Sequence, residues 1–209
     1  MNILVITGSR ADYGLLEWPL KLLREAFTVD LLRIWGQSFE QAFTTTRDQL
    51  AQQRPDLMLV LGDRYEILAA ATAAHLSRVP IAHIGGGDVT EGSYDGAMRD
   101  CISHMASIHF VTSTSAMARL SHVGFRNVHL VGNPGIDYIR NADWKRERPI
   151  AEPYVVVSYQ AETLDGTIEL ADVVDVVEGR KSVWIMPNPD RGSDEINRFI
   201  LENSFEHHD

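Results

Sequence analysis

The ionisable side chains of this sequence collect in short polar segments, each of which follows an apolar, β-branched run. Gly8-Ser-Arg-Ala-Asp-Tyr-Gly14 supplies Gly8, Ser9, Arg10 and Asp12, and Gly62-Asp-Arg-Tyr-Glu66 supplies Asp63, Arg64 and Glu66. His83 and the glycine run Gly85-Gly-Gly87 lead to Asp88, Glu91 and Asp95, and Tyr159-Gln-Ala-Glu162 comes last. Carboxylates crowded into one cleft push each other's pKa values apart, so that one stays protonated as an acid while another remains ionised as a base. Asp63, Asp88 and Asp95 are placed for that division. Arg10 and Arg64 suit a bidentate grip on phosphate or carboxylate. Each assignment has a plainer rival: Asp63 caps the helix that starts near Glu66, Asp95 caps the helix containing Arg99, and the arginines pair with neighbouring acids. His83 is equally a satisfied core residue. Asp88 follows three glycines that let the backbone approach a ligand, and is harder to assign to structure alone.

The elements that must hold these segments alternate regularly. Asn2 to Thr7 reads as a buried strand, Gly8 to Tyr13 as the turn, and Leu15, Leu16, Leu20, Leu22 and Leu23 as the apolar pattern of a helix. Further strands are expected at Val29–Ile34, Asp56–Leu61, Pro80–Ile84, Ile108–Thr112 and Val128–Val131, with helices at Phe39–Gln52, Glu66–Leu76, Asp95–Ala106 and Ala116–Val123. Short βα connections of this kind predict an α/β fold, a Rossmann-like doubly wound parallel sheet. In such a sheet every polar segment named above falls at the C-terminal edge of the strands, where ligands bind. The dinucleotide pattern GxGxxG is absent, so nothing here argues for NAD.

After Val131, Gly132-Asn-Pro-Gly-Ile-Asp137 precedes a charged, proline-containing stretch without periodicity. This predicts a Rossmann-like domain over 1–140, a linker over 141–153 and a truncated α/β remnant over 154–209. The remnant reads as strand Tyr154–Ser158, helix Ile168–Val177, strand Ser182–Met186 and helix Ser193–Asn203. Two βα units leave an apolar face that a neighbour would cover, so a homodimer is expected.

With 209 residues, of which 44% are hydrophobic, the chain can bury a real core. Its net charge of −10 repels polyanions and argues against nucleic acid or an anionic membrane as partner. No apolar run is long enough to span a bilayer and no secretory leader pattern opens the sequence, which predicts a cytoplasmic protein. The single cysteine, Cys101, excludes an intramolecular disulfide and is expected in a helix core. Glu206-His-His-Asp209 reads as a solvated tail, not a metal site.

Gly8-Ser-Arg-Ala-Asp-Tyr-Gly-Leu-Leu16, Leu61-Gly-Asp-Arg-Tyr-Glu66, His83-Ile-Gly-Gly-Gly-Asp88 with Thr90-Glu-Gly92, and Gly132-Asn-Pro-Gly-Ile-Asp137 stand in one order. In this the chain resembles the UDP-N-acetylglucosamine 2-epimerase family, and within it the hydrolysing branch that makes N-acetylmannosamine for sialic-acid-type sugars. Ser158 to Thr163 and Pro187-Asn-Pro-Asp-Arg-Gly192 resemble the opening of the family's second domain. The resemblance implies a glycosyltransferase-B-type N-terminal domain and a UDP-sugar held between two domains. It implies elimination of UDP across C1 and C2 and then hydration with inversion at C2, with no metal or other cofactor. It places catalytic roles on Asp63, Asp88 and Asp95, with Gly8, Ser9, Arg10, Asp12, Arg64, Glu66, Arg99, Gln160 and Asn188 binding substrate.

The departures from the family pattern are specific. Gly85 stands where a second histidine or an acid is common, Gly96 follows Asp95 where a glutamate is usual, and Asp100 and Gln160 replace histidines. The glycine- and serine-rich loop and the glutamate that hold uridine and ribose have no counterpart. Two other readings therefore stand beside the epimerase: an altered enzyme for a smaller nucleotide or sugar phosphate, and a non-catalytic binding protein.

Overall fold

The computed structural model describes residues 1–142, 150–162, 164, 168–188, 192–203 and 206–208. The chain divides into two compact units. The first runs Met1–Thr90 and resumes at Asp95; the second takes Glu91–Tyr94 and the C-terminal part.

The first unit alternates β1 (Asn2–Thr7), α1 (Arg10–Ala26), β2 (Thr28–Arg33), α2 (Phe39–Gln53), β3 (Leu57–Leu61) and α3 (Tyr65–Leu76). It continues with β4 (Ile81–Ile84), α4 (Asp95–Met105), β5 (Ile108–Val111), α5 (Thr114–Val123), β6 (Val128–Leu130) and α6 (Pro134–Asn141). The strands form one sheet in the order β2-β1-β3-β4-β5-β6, with every pairing parallel. From β1 the chain steps outward to β2 and then crosses back to β3, so the direction of winding reverses between β1 and β3. Right-handed crossovers then put α1 on one face and the later connecting helices on the other.

The packing follows from this. Along β1, Leu4 and Ile6 join Met58, Val60 and the alanine-rich α3 on one face, while Ile3 and Val5 join Leu59, Leu61, Leu16 and Leu20 on the other. Both faces are apolar, which is why β1 and β3 read as continuous hydrophobic runs instead of alternating ones. Helix starts are set locally. Ser9 caps α1, Ser38 and Gln41 form a capping box on α2, and Ser113 caps α5.

α6 lies in the segment that sequence patterning left unassigned. Asn133 caps it and Pro134 occupies its first turn. It packs on α1 closely enough that a Cβ at Gly135 would fall 2.8 Å from Leu15 Cδ2. The α1 face of the sheet is otherwise thinly covered. An apolar groove of about 450 Å³ opens there between Trp18, Phe27, Ile108 and Phe110.

The second unit contains β7 (Val155–Ser158), α7 (Leu170–Val177), β8 (Ser182–Ile185), α8 (Ser193–Glu202) and β9 (Glu206–His208), with a parallel sheet ordered β7-β8-β9. Its core is built on Trp184, fully buried with Val157, Leu170, Ile196 and Ile200. The Trp184 indole N–H donates to Ser182 Oγ at 3.0 Å, so no polar atom of that ring is stranded.

Two expectations change. Residues 206–208 are not a solvated tail: they pair with Val183–Ile185 as a third strand, which satisfies the exposed edge of β8; Asp209 lies outside the described residues. Cys101 is exposed, because the buried side of α4 carries Arg99, Ile102 and Ser103 and position 101 falls off that stripe. In the stretch read as a linker, Asn141 ends α6 and Ile150 is buried, while 143–149 lie outside the described residues. Among the described residues, no helix is long and apolar enough to cross a membrane.

Candidate functional site

At the C-terminal edge of the first unit's sheet the loops after β3, β4 and β5 enclose a cavity of about 160 Å³. Its polar lining comprises Asp63, Asp88, Arg99, Thr112 and Asn133. Gly62 follows β3 and Gly85 follows β4 in the left-handed region, at φ of +83° and +87°, so the chain turns off each strand and brings the next carboxylate over the edge. Asp88 is reached by way of Gly87, where a Cβ would come 2.7 Å from the Ala116 carbonyl oxygen. The glycine run is therefore a packing requirement as well as a conformational one.

Arg99 ties the site together. It rises from the buried side of α4, 6% exposed, and donates to the Asp63 carboxylate, to the Asp88 carbonyl oxygen at 2.6 Å and to Thr90 Oγ1 at 3.1 Å. One guanidinium thus fixes the loop after β3 and the loop after β4 from a third element. Burial raises the Asp63 carboxyl above its ordinary value; Arg99 opposes that rise and the nearby charge of Asp95 adds to it. The N-cap of α3 is Arg64 and no side chain caps it, so the helix-capping alternative for Asp63 does not hold. The Asp88 carboxylate accepts from the Thr112 hydroxyl, which lies 2.9 and 2.8 Å from its two oxygens.

A second cluster forms at the end of β1. Asp12 is buried, accepts from the Gly8 N–H at 3.0 Å, and has its own N–H bound to Ser9 Oγ at 3.1 Å. Burial raises the Asp12 carboxyl, against the lowering effect of Ser9, Gly8 and the charge of Arg64. Arg64 is half-buried and pairs with the buried Glu66 at 3.3 Å, the ion pair expected as the rival to a ligand clamp. Its charge also lowers Asp63, so the two clusters are neighbours. Arg10 opens α1 on an exposed turn, outside the residues that line the cavity. Asp95 begins α4, half-buried and close enough to Asp63 to disfavour its ionisation.

Gln160 and Asn188 belong to the second unit. There the Asn188 N–H donates to Gln160 Oε1 at 3.0 Å. His83 is fully buried with both ring nitrogens engaged, and desolvation lowers its pKa to about 4, so it is a neutral core residue at physiological pH. Thr112 and Asn133 are lining residues that sequence reasoning did not single out. Their signal was positional: one follows β5 directly and the other stands before a proline as a helix cap.

A doubly wound parallel sheet whose strand ends gather two aspartates and a buried arginine around a small cavity has the architecture of the α/β proteins that bind small molecules at the C-terminal ends of their strands. A family model described as UDP-N-acetylglucosamine 2-epimerase matches residues 30–208, and the chain belongs to that family. It is 26% identical to the polysialic acid biosynthesis protein P7 of Escherichia coli over 95% of this chain and 65% of that protein. It is 29% identical to a hydrolysing UDP-N,N'-diacetylbacillosamine 2-epimerase of Legionella pneumophila over 66% of this chain and 47% of that one. The chain thus spans less than two thirds of the length of these two relatives. Among solved structures, the UDP-GlcNAc 2-epimerase of Methanocaldococcus jannaschii in complex with UDP-GlcNAc and UDP aligns at a TM-score of 0.81 and 15% identity, covering 100% of this chain and 73% of that one. The Neisseria meningitidis enzyme bound to UDP-GlcNAc aligns at 0.78 and 16%, covering 100% and 71%. At these identities the likeness is one of fold, and both units share in it.

Proposed function

We propose that the chain acts as a hydrolysing nucleotide-sugar 2-epimerase, with its proton chemistry in the cavity between Asp63 and Asp88. In the reaction a base removes the C2 proton, the C1–O bond to UDP breaks, and the electron pair of the former C2–H bond becomes the C1–C2 double bond of a glycal. Water then returns a hydroxyl to C1 and a proton to the opposite face of C2, giving N-acetylmannosamine from UDP-N-acetylglucosamine. Two proton-handling groups are needed. Asp63 is the donor, and Asp88, oriented by Thr112, is the acceptor. Arg99 supplies fixed positive charge beside developing negative charge. Asp95 tunes Asp63, and the phosphate end of the substrate is assigned to the Gly8–Asp12 turn with Arg10 and Arg64, which lie outside the cavity lining.

The observation that carries this reading is the meeting of Asp63, Asp88 and Arg99 at the strand ends in a chain of this family. The relatives' names, which include hydrolysing epimerases, support the reaction class. We further infer a cytoplasmic homodimer, an assembly supported by the apolar groove beside α1; light scattering that returns a monomer at micromolar concentration would reject it. Incubation with UDP-N-acetylglucosamine, followed by NMR, is the test of activity. UDP and N-acetylmannosamine should accumulate with wild-type protein and be lost with Asp63→Asn or Asp88→Asn while the fold persists.

A further inference from the structure

His83 takes no part in the chemistry proposed above, yet it is a fully buried imidazole placed between the loop after β3 and the face of α4. Its Nε2 lies 2.8 Å from the Gly62 carbonyl oxygen. A carbonyl can only accept, so Nε2 carries the proton and Nδ1 is left as an acceptor. The group 3.1 Å from Nδ1 is the hydroxyl of Ser103, itself fully buried, which must therefore donate. The result is a directional chain of hydrogen bonds from Ser103 through His83 to Gly62, with each member satisfied in only one sense.

The geometry gives this chain a target. Gly62 precedes Asp63, and its peptide is pinned on both sides, since its N–H donates to the Ile84 carbonyl at 3.0 Å and its carbonyl accepts from His83. Gly62 sits in the left-handed region just past the end of β3, where no strand ladder would otherwise fix the direction of that carbonyl. Ser103 is one helical turn beyond Arg99 on the same buried side of α4. The helix therefore reaches the β3 loop through two parallel anchors, Ser103 by way of His83 to Gly62 and Arg99 to Asp63. Gly86 completes the device by omission: a Cβ there would come 2.7 Å from Ser103 Oγ and 3.0 Å from His83 Nδ1.

We propose that the Ser103–His83–Gly62 chain is a positioning element that fixes the main chain carrying Asp63 and so aims its carboxyl into the cavity. Its catalytic consequence rests on the assignment of Asp63 as a proton donor in the reaction proposed above. A displacement of about 1 Å at a reacting group can cost on the order of a hundredfold in rate.

Two variants disturb the chain by different routes: Ser103→Ala removes the donor to His83, and Gly86→Ala wedges a methyl group against the Ser103–His83 bond while leaving both groups in place. Both should lower kcat for UDP-N-acetylglucosamine by roughly tenfold to a hundredfold with KM changed by less than about twofold. Ser103→Thr, which restores a hydroxyl, should recover part of the loss. Carbon NMR of the Asp63 carboxyl tests the positioning without any turnover. In both variants its titration midpoint should move down toward the ordinary aspartate value as the loop loosens and water enters. Nitrogen NMR of the wild-type protein should show His83 as the Nε2–H tautomer. A wild-type chain that turns over no substrate overturns the functional reading alone, and the Asp63 titration then decides the positioning claim. An unchanged Asp63 midpoint in both variants, or an Nδ1–H tautomer for His83, overturns the proposal whatever the activity.

Discussion

Removing the Arg99 guanidinium by Arg99→Met should be among the most costly single substitutions in the first unit. Arg99 and Asp63 have side chains only 8% and 19% exposed, so solvent replaces the lost partner only in part. Breaking a buried pair from one side costs about 3–5 kcal/mol, because the remaining carboxylate loses its compensation. The Asp88 carbonyl and Thr90 Oγ1 lose a donor at the same time. For a chain of this size, 1 kcal/mol corresponds to about 2–4 °C in Tm, so a loss of roughly 6–20 °C is expected at pH 7.5. The deficit should shrink at acid pH. Asp63 already has a raised pKa, and protonating it removes the unpaired charge, so the gap between Arg99→Met and wild type narrows as pH falls through the Asp63 midpoint. Asp63→Asn on the Arg99→Met background should recover stability at neutral pH, giving a coupling of about 0.5–3 kcal/mol in the double-mutant cycle. Thermal melts by circular dichroism at pH 7.5 and pH 4.5 read all of this. A Tm within about 2 °C of wild type for Arg99→Met, a deficit independent of pH, or strictly additive single and double variants would show that the Arg99–Asp63 pair does not stabilise the first unit.

Thr112→Val keeps the volume of the side chain and removes the only hydroxyl seen on the Asp88 carboxylate among the described residues. It should lower kcat about tenfold, for a stability change on the order of 1 kcal/mol, in steady-state assays and melts. His83 is neutral in the folded protein with a pKa of about 4, against an ordinary 6.5. Its contribution to stability is therefore present above pH 6.5 and lost as pH falls toward 4, and a urea midpoint series should show that loss reduced in His83→Gln. Asp12 has the opposite sign. Its raised carboxyl contributes stability fully present below its ordinary 3.8 and lost as pH rises through the folded value, so Asp12→Asn should compare better with wild type at pH 7.5 than at pH 3.5 in the same assay.

Most of the framework was legible because parallel sheets leave a strong signature. β1 and β3 are buried on both faces, so Asn2–Thr7 and Leu57–Leu61 announce themselves as unbroken apolar runs, and the polar residues that follow them fall at one edge by topology. What escaped was set by tertiary context. α6 is short and amphipathic, and its contact with α1 depends on Gly135 lacking a side chain, which no periodicity reveals. β9 has only three residues and exists as the partner of β8. Cys101 sits in a stretch whose apolar residues suggest burial, but the stripe that faces the sheet is set by Arg99, Ile102 and Ser103.

The site shows the same limit. Asp63 and Asp88 were identifiable as acids after glycines at strand ends, and they do line one cavity. That Arg99 binds three protein acceptors and that Thr112 holds Asp88 are matters of rotamer and distance. A threonine at the end of a β-branched strand looks like any other strand residue.

Asp63 and Asp88 are proposed to exchange protons with C2 of a nucleotide sugar. Proton NMR of UDP-N-acetylglucosamine incubated with the protein in deuterium oxide addresses this exchange most directly. UDP should appear together with N-acetylmannosamine carrying deuterium at C2, and Asp63→Asn and Asp88→Asn should each suppress both signals. Substrate that stays intact, with its C2 proton retained at high protein concentration, would contradict it.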